Sequence, residues 1–184
     1  MNGTEQDHVA RVIAMWERER PDLDLSPVGV VSRIGRAARY LDHGVESVLG
    51  AHGLSRASWD VLAALRRVGE PYRLSPTELY RSLMRTSGTI THRLQGLEAK
   101  RLVRRSGDPR DGRAALVELT SAGERLVDKV AAEHLANERE LLAGLDANER
   151  RELSDLLRKL LLSFERAAPV PPEPRSRKPP RRTG

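Results

Sequence analysis

The stretch SPTELYRSLMRTSGTITHRLQGLEAKRLVRRSGDPRDGRAALVELT, residues 75–120, contains the most specific structural signals in this 184-residue chain. Ser75 and Glu78 have the spacing of a capping box, in which each side chain bonds the backbone N–H of the other residue. Pro76 stands at the first helical position, where the N–H that proline lacks would have no partner anyway. The sequence therefore predicts a helix that starts at Ser75, a turn near Arg85 and a second helix after the turn.

A basic β-hairpin is predicted after the second helix. Residues 114–119, AALVEL, alternate in the manner of a half-buried strand, and Leu102 with Val103 supplies the opposite strand. The segment SGDPRDGR joins the two strands. Helix, turn, helix and basic hairpin in this order predict a winged helix-turn-helix, a mainly α fold with a small β wing.

Amphipathic helices are predicted on both sides of this unit. Apolar residues recur at helical spacing in five segments, residues 5–20, 26–53, 55–69, 121–142 and 146–164. Ser26 is expected to cap the second of these helices, and Ser55 to open the third. Ser121 with Glu124, and Asp146 with Glu149, have capping-box spacing at the starts of the last two helices. The apolar stripe on the second helix is broader than one small lobe needs, so part of it is expected to face another subunit.

The net charge of +6 is unevenly distributed along the chain. Residues 168–184 carry five basic residues and one acid, a net of +4, which leaves +2 for residues 1–167. Overall basicity is thus weak support for a polyanionic partner, and only local clusters of charge bear on that question. The chain has no cysteine, which excludes disulfides and thiol chemistry. No signal sequence or membrane span is found, so a cytoplasmic protein is expected.

The second helix of residues 75–120 is predicted to have one apolar and one polar face. At 3.6 residues per turn, Ile90, Leu94 and Leu97 share the face that packs inward. The opposite face carries small or hydrogen-bonding residues, Thr86, Ser87, Gly88, Thr91, His92 and Gln95. A helix entering the major groove of DNA needs such side chains to meet base edges, and its N-terminal amides to meet phosphate. An ordinary solvated face is the alternative; the capped helix before it and the basic hairpin after it favour DNA.

The tip of the hairpin offers a second contact to DNA. Arg110 and Arg113 lie there, and Gly112 permits the tight backbone between them. An arginine at such a tip can enter the minor groove, where the negative potential is strongest if the groove is narrow. A solvated charged turn is the alternative for both arginines, and the DNA interpretation is favoured more for Arg113 than for Arg110.

From these motifs, residues 27–164 resemble the MarR family of winged-helix transcription regulators, with LVRRSGDPRDGRAALVELTSAG similar to the family's wing motif. The resemblance implies an obligate homodimer on a pseudo-palindromic operator in double-stranded DNA. It divides the chain into an extra helix and linker (1–25), the family domain (26–167) and a basic, Pro/Arg-rich, disordered tail (168–184). Within the domain it implies a DNA-binding lobe at about 55–119, and dimerisation helices at about 26–53 and 120–167. Two departures are visible: Gly112 stands where arginine is frequent, and Arg101 where glycine commonly ends the second helix.

An N-terminal helix bearing Trp16 is similar to that of the urate-responsive subgroup of this family. The similarity implies a ligand pocket formed by Trp16, Asp60, Arg93 and Arg105, and a repressor that releases its operator when the ligand binds. Guanidinium groups suit an anionic planar ligand, and an aromatic ring suits its face or edge. Other phenolic or carboxylate ligands are alternatives to urate. Each residue also has an alternative role outside a ligand pocket. Trp16 could pack the extra helix against the domain, Asp60 could form a structural ion pair, and Arg105 could contact a DNA phosphate.

Two other classes of function are alternatives to a DNA-binding regulator. An enzyme is not expected, because the sequence has no phosphate-binding glycine loop and no HExxH motif, and its five histidines lack metal-ligand spacing. No metal or cofactor is therefore expected either. A helical interaction module that has kept the fold without reading DNA is the second alternative. DNA binding that weakens steeply with salt would distinguish the regulator from this module.

Overall fold

The computed structural model describes residues 6–83, 87–107 and 115–167, with the backbone alone at 87–90. The elements in chain order are α1 (His8–Glu19), α2 (Ser26–Ala51), α3 (Arg56–Arg67), β1 (Arg73–Leu74), α4 (Pro76–Leu83), α5 (Ser87–Ala99), β2 (Val103–Gly107), β3 (Ala115–Leu119), α6 (Ser121–Leu141) and α7 (Ala147–Ala167). The predicted mainly α fold with a small wing is confirmed. The tail expected to be disordered, residues 168–184, lies outside the described residues, as do Thr86, Arg110, Gly112 and Arg113.

The sheet has a third strand that the sequence did not predict. Its order is β1-β3-β2, with both pairs antiparallel. β2 pairs with β3 from Val103 opposite Leu119 to Gly107 opposite Ala115, as the hairpin pattern predicted. β1 adds two residues on the far side of β3, where Arg73 lies opposite Glu118. Two residues are too few to show the alternation that predicts a strand. β1 is defined only by its pairing with β3, in which Arg73 lies opposite a residue 45 positions later.

Three of the predicted helix starts are confirmed and two are wrong. Ser55 caps α3, since its Oγ accepts the Ser58 N–H at 3.2 Å. The Ser75 N–H donates to Glu78 Oε2 at 2.7 Å and the Glu78 N–H to Ser75 Oγ at 3.2 Å, a complete capping box. Asp146 and Glu149 form the same reciprocal pair. Ser26 does not cap α2: it is the first helical residue, and its hydroxyl bonds the Asp24 carboxylate.

The cap of α6 lies one residue before the predicted Ser121. The Thr120 Oγ1 accepts the Gly123 N–H at 3.0 Å and donates to the Arg101 carbonyl at 2.8 Å. Thr120 caps α6 in place of Ser121 because its hydroxyl makes two hydrogen bonds, one to the first turn of α6 and one to the turn after α5. Ser121 is already helical, and its spacing to Glu124 therefore creates no capping box.

The hydrophobic core lies within the lobe built from α3, α4, α5 and the sheet, and extends to the ends of α2 and α6 that cover it. Leu62, Leu65 and Leu79 have no exposed surface, and Leu94 and Leu97 have almost none. Burial of such a leucine contributes roughly 1.5–3 kcal/mol of transfer free energy. The ends of α2 and α6 thus complete the core of the lobe within one chain.

The helices α2 and α7 leave much of their apolar surface exposed. No residue of α7 is buried, and Leu156, Leu161 and Phe164 each expose more than half of their surface. Val30 and Val31 on the first turns of α2 are equally exposed. A groove of about 770 Å³ between α2, α6 and α7 has leucine as its most frequent lining residue. Exposed apolar surface of this extent marks a protein interface.

The N-terminal helix α1 packs against α2. Val9 is buried at the contact, and the Asp7 carboxylate accepts hydrogen bonds from the Arg33 Nε at 2.8 Å and Nη2 at 3.2 Å. The same carboxylate caps α1 by accepting the Ala10 N–H. These contacts lower the pKa of Asp7 below its usual range, the bond from Arg33 having the largest effect. Within the described ranges, no helix is both apolar and long enough to span a bilayer.

Candidate nucleic-acid interface and ligand site

The described half of α5 has the two faces that the sequence predicted. Leu94 and Leu97 are buried in the lobe, whereas Thr91, His92 and Gln95 are exposed. This orientation is confirmed. Ser87 and Gly88 belong to the first turn of α5, as expected, and only their backbone is described. The helix therefore presents hydrogen-bonding side chains outward from a fixed position on the lobe.

The exposed face of α5 contains little negative charge. Glu98 is the one acid in the sequence from Thr91 to Ala99, and its Oε1 accepts a hydrogen bond from the Arg105 Nε at 2.9 Å. The carboxylate is thus neutralised by β2 rather than left facing outward. A surface free of unpaired carboxylates can approach phosphates without repulsion.

The base of the wing carries two adjacent arginines with different partners. Arg104 donates from Nη2 to Glu118 Oε1 at 2.8 Å across the β2–β3 pair. This hydrogen bond raises the pKa of Arg104 above its ordinary value. Arg105 points to the other face of the sheet and bonds Glu98 on α5. Both arginines therefore hold elements of the lobe together, and the Glu98 partner of Arg105 was missed because no short-range pattern relates a helix residue to a strand that follows a turn.

Three of the four residues expected at a ligand site lie on elements that pack together. Asp60 is half-buried on α3, Arg93 is half-buried on α5 and Arg105 lies on β2, and α5 packs against both α3 and β2. Trp16 is on α1, half exposed, and the main packing partner of α1 is α2. The four are therefore not seen lining one common cavity in the described part of a single chain.

Arg93 has an unusual environment for a cationic side chain. Its Nε is buried and lacks a hydrogen-bond partner within the described residues. A buried donor without a partner costs about 1–3 kcal/mol, and a bound acceptor would recover this. Helical spacing places Arg93 beside Leu94 and therefore toward the interior, but spacing does not reveal that its Nε lacks a partner among the described residues.

Other polar groups of α6 are buried close to the core. His134 meets the Trp59 ring edge-on, with ring centroids 5.5 Å apart, and its Nε2 lies 3.3 Å from Glu138 Oε1. His134 Nδ1 and Asn137 Nδ2 are both buried without a partner in the described residues. No group of three or more His, Asp or Glu residues suited to a metal ion is found within residues 6–83, 87–107 and 115–167.

Comparison with known proteins links this geometry to a family. The model of the MarR family matches residues 52–114, which begin before α3 and end before β3. The regulator PecS of Dickeya dadantii is 36% identical over 149 residues, which cover 81% of this chain and 90% of PecS. A MarR mutant from Escherichia coli in complex with operator DNA is 28% identical with a TM-score of 0.64, over 74% of this chain and 95% of that one.

A second similar structure is that of a regulator whose DNA binding responds to a small molecule. BpsR of Bordetella bronchiseptica, whose DNA binding is regulated by 6-hydroxynicotinic acid, is 28% identical with a TM-score of 0.63. The match covers 75% of this chain and 95% of BpsR. DNA-bound and ligand-regulated proteins thus share the same arrangement of helices and wing.

Proposed function

This chain belongs to the MarR family of transcription regulators, and on that premise we propose that it is a homodimeric repressor released from its operator by a small anionic or aromatic ligand. DNA-binding transcription regulation is the function of the family. The observation that carries the assignment to this chain is α5, which exposes Thr91, His92 and Gln95 while Leu94 and Leu97 fix it to the core. The homodimer is consistent with the solved structures of the family.

We assign base and phosphate contacts to the exposed face and first turn of α5. Gln95 and His92 have the donors and acceptors that read base edges in the major groove. Ser87, Gly88 and Thr86 stand at the N-terminal end, where backbone N–H groups and the helix dipole favour phosphate. Arg113 and Arg110 at the wing tip complete the proposed contacts by entering the adjacent minor groove.

Gln95 provides the direct test of base reading. Gln95→Ala should lower affinity for the selected operator by about 1–3 kcal/mol and relax the preference at one base pair of each half-site. Arg73→Ala, which removes an exposed cation on β1, serves as the control and should leave base preference unchanged. Selection of duplexes from a random pool by both variants measures this directly. An unchanged base preference in Gln95→Ala would remove this residue from the reading face.

We propose that the ligand site is centred on Arg93. The Nε of Arg93, which has no partner among the described residues, supports an acceptor-bearing ligand, and Arg105 would add a second guanidinium after leaving Glu98. Asp60 and Trp16 are the proposed further contacts, with Trp16 supplying an aromatic surface. Urate is the first candidate by resemblance, and planar heterocycles with a carboxylate are the second class, suggested by the regulation of BpsR.

The proposed mechanism couples the two sites through α5, which carries both Arg93 and the reading face. Two half-sites lie about 34–36 Å apart on DNA, so a small shift of α5 in each subunit weakens both contacts at once. A ligand that binds only the shifted state lowers DNA affinity by the ratio of its affinities for the two states. Arg105 would provide this difference in affinity by exchanging its hydrogen bond with Glu98 for one with the ligand in the shifted state.

The experiment measures operator affinity with and without ligand. Wild type and Arg93→Ala are titrated onto a selected operator at several salt concentrations, in the presence of urate, 6-hydroxynicotinic acid or a simple phenol. The wild type should release DNA with at least one of these compounds, and Arg93→Ala should bind DNA but not respond. Affinity should fall with salt at a slope near −0.9 per neutralised phosphate. Binding that ignores salt and sequence would instead favour an interaction module.

A further inference from the structure

A left-handed residue follows each of the helices α2 and α5. After α2, Gly53 has a φ of 65°, and the Leu54 N–H bonds the Leu49 carbonyl at 3.0 Å. After α5, Arg101 has a φ of 56°, and the Leu102 N–H bonds the Leu97 carbonyl at 3.0 Å. Both helices thus end in a Schellman motif, which sharply reverses the chain.

One side chain connects these two turns. The Lys100 Nζ donates to the Gly53 carbonyl oxygen at 2.7 Å, across 47 positions in the sequence. This carbonyl lies at the C-terminal end of α2, where the helix dipole is negative and a cation is favoured. A charge-assisted bond of this length is stronger than a neutral one. The contact joins the end of the DNA-reading helix to the end of a dimerisation helix.

The same turn is held from the opposite side by α6. The His52 Nε2 lies 2.7 Å from Glu133 Oε2, and the His52 side chain is largely buried. The hydrogen bond with His52 lowers the pKa of the Glu133 carboxyl. Residues 52–53 therefore contact α6 through a side chain and α5 through a carbonyl, so that they link the dimerisation helices to the reading helix.

We propose that Lys100 is a positioning residue, which fixes the orientation of α5 relative to the dimerisation helices and thereby sets the separation of half-sites that the dimer accepts. The inference rests on the proposed binding of two half-sites by a homodimer. Lys100 itself does not read bases in this role. Its loss should leave each lobe folded and able to bind, but with a less defined distance between the two reading helices.

The test compares operators of different spacing. Wild type, Lys100→Met and Lys100→Arg are titrated onto the selected operator and onto versions with one base pair added or removed between the half-sites. Lys159→Met, which removes an exposed lysine on the side of α7 that faces away from Leu161, is the matched control for charge. Lys100→Met should lose about 5- to 10-fold in affinity at the native spacing, in line with loss of one solvent-exposed hydrogen bond of typical net strength. Its preference for the native spacing over the altered ones should shrink, while Lys100→Arg should restore most of that preference.

The salt slope of Lys100→Met distinguishes a positioning role from a phosphate contact. Operator binding by the wild type distinguishes failure of this inference from failure of the proposed function. A positioning role predicts the wild-type salt slope in Lys100→Met. A slope reduced by about one, with equal loss at all spacings, would identify Lys100 as a phosphate contact and overturn the inference. A spacing preference identical to that of the wild type would also overturn it. If the wild type itself binds no operator, the proposed function fails rather than the role of Lys100.

Discussion

The lobe around α5 and the helices α2 and α7 use their apolar residues in opposite ways. In the lobe from α3 to β3, Val68 is the one large apolar side chain that is well exposed among the residues described. On α7, five large apolar side chains are exposed and none is buried, and the first half of α2 repeats this pattern. The core of the lobe is therefore completed within one chain by the ends of α2 and α6, whereas α7 and the first half of α2 leave their apolar faces uncovered.

We propose that this difference separates DNA reading from pairing of the subunits. The core of the lobe is complete within one chain and holds α5 in place whether or not a second copy is bound. A second chain would cover the exposed apolar side chains of α2 and α7 and so place two lobes on one duplex. Substitutions in the lobe should therefore change stability at any protein concentration, and those in α7 should act through the dimer.

The largest effect on stability is expected in the core of the lobe. Leu62→Ala removes a side chain with no exposed surface and should cost about 2–5 kcal/mol in the free energy of unfolding. Urea titration at two protein concentrations measures it against Leu161→Ala on α7. The cost of Leu161→Ala should grow with protein concentration, because that surface is covered only in the dimer. If the loss in the free energy of unfolding were the same at both protein concentrations for both variants, the proposed difference between the lobe and α7 would be contradicted.

A charge on α7 should separate the subunits without unfolding the lobe. Leu161→Asp places a carboxylate on the apolar face and should yield monomers in sedimentation experiments. Operator affinity should fall on the order of 100-fold, because one lobe retains only its own half-site. Lys159→Asp, on the opposite side of the same helix, is the control and should stay dimeric. A dimeric Leu161→Asp protein would show that α7 is not the pairing surface.

The left-handed turn after α5 offers a smaller, stabilising change. Arg101 has a φ of 56°, so Arg101→Gly should raise stability by about 1 kcal/mol by relieving the contact of Cβ with the backbone. Gly53→Ala at a φ of 65° is the reverse experiment and should lower stability by a similar amount. Thermal unfolding of both variants checks the prediction, and a loss of stability in Arg101→Gly would contradict it.

The smallest effect is expected at α1, outside both regions. Because the pKa of Asp7 is lowered in the folded chain, its contact with Arg33 stabilises the docked α1 above the unfolded-state pKa. That contribution is lost as the pH falls through the folded-state pKa. Fluorescence of Trp16, in a Trp59→Phe background, should therefore change at acid pH, and Asp7→Asn should show the acid signal already at neutral pH. Identical titrations with and without Asp7→Asn would exclude this role.

Local signals in the sequence predicted most of the lobe. The Ser75–Glu78 cap, the β2–β3 hairpin and the inward direction of Leu94 and Leu97 each depend on residues within a few positions of one another. β1 was missed because its two residues are defined only by pairing with β3. The cap of α6 was misplaced because the second bond of Thr120, to the Arg101 carbonyl, is a contact between distant segments.

The site was only partly predictable for the same reason. The polar face of α5 follows from helical spacing alone, as does the inward direction of Arg93. The bonds of Arg105 to Glu98 and of Lys100 to the Gly53 carbonyl depend on how α5 packs against β2 and on where α2 ends. These contacts join residues that are not related by any helical or strand spacing. The two bonds proposed to position α5 therefore cannot be predicted from the sequence and are found only in the folded chain.

The central claim is that two self-contained lobes, joined through α2 and α7, must act together on one duplex. Native mass spectrometry of the complex with the selected operator tests it most directly, combined with affinities for duplexes carrying two half-sites or one. Two chains per duplex are predicted, with at least about 100-fold weaker binding to a single half-site. One chain per duplex, bound with the full operator affinity, would contradict the claim.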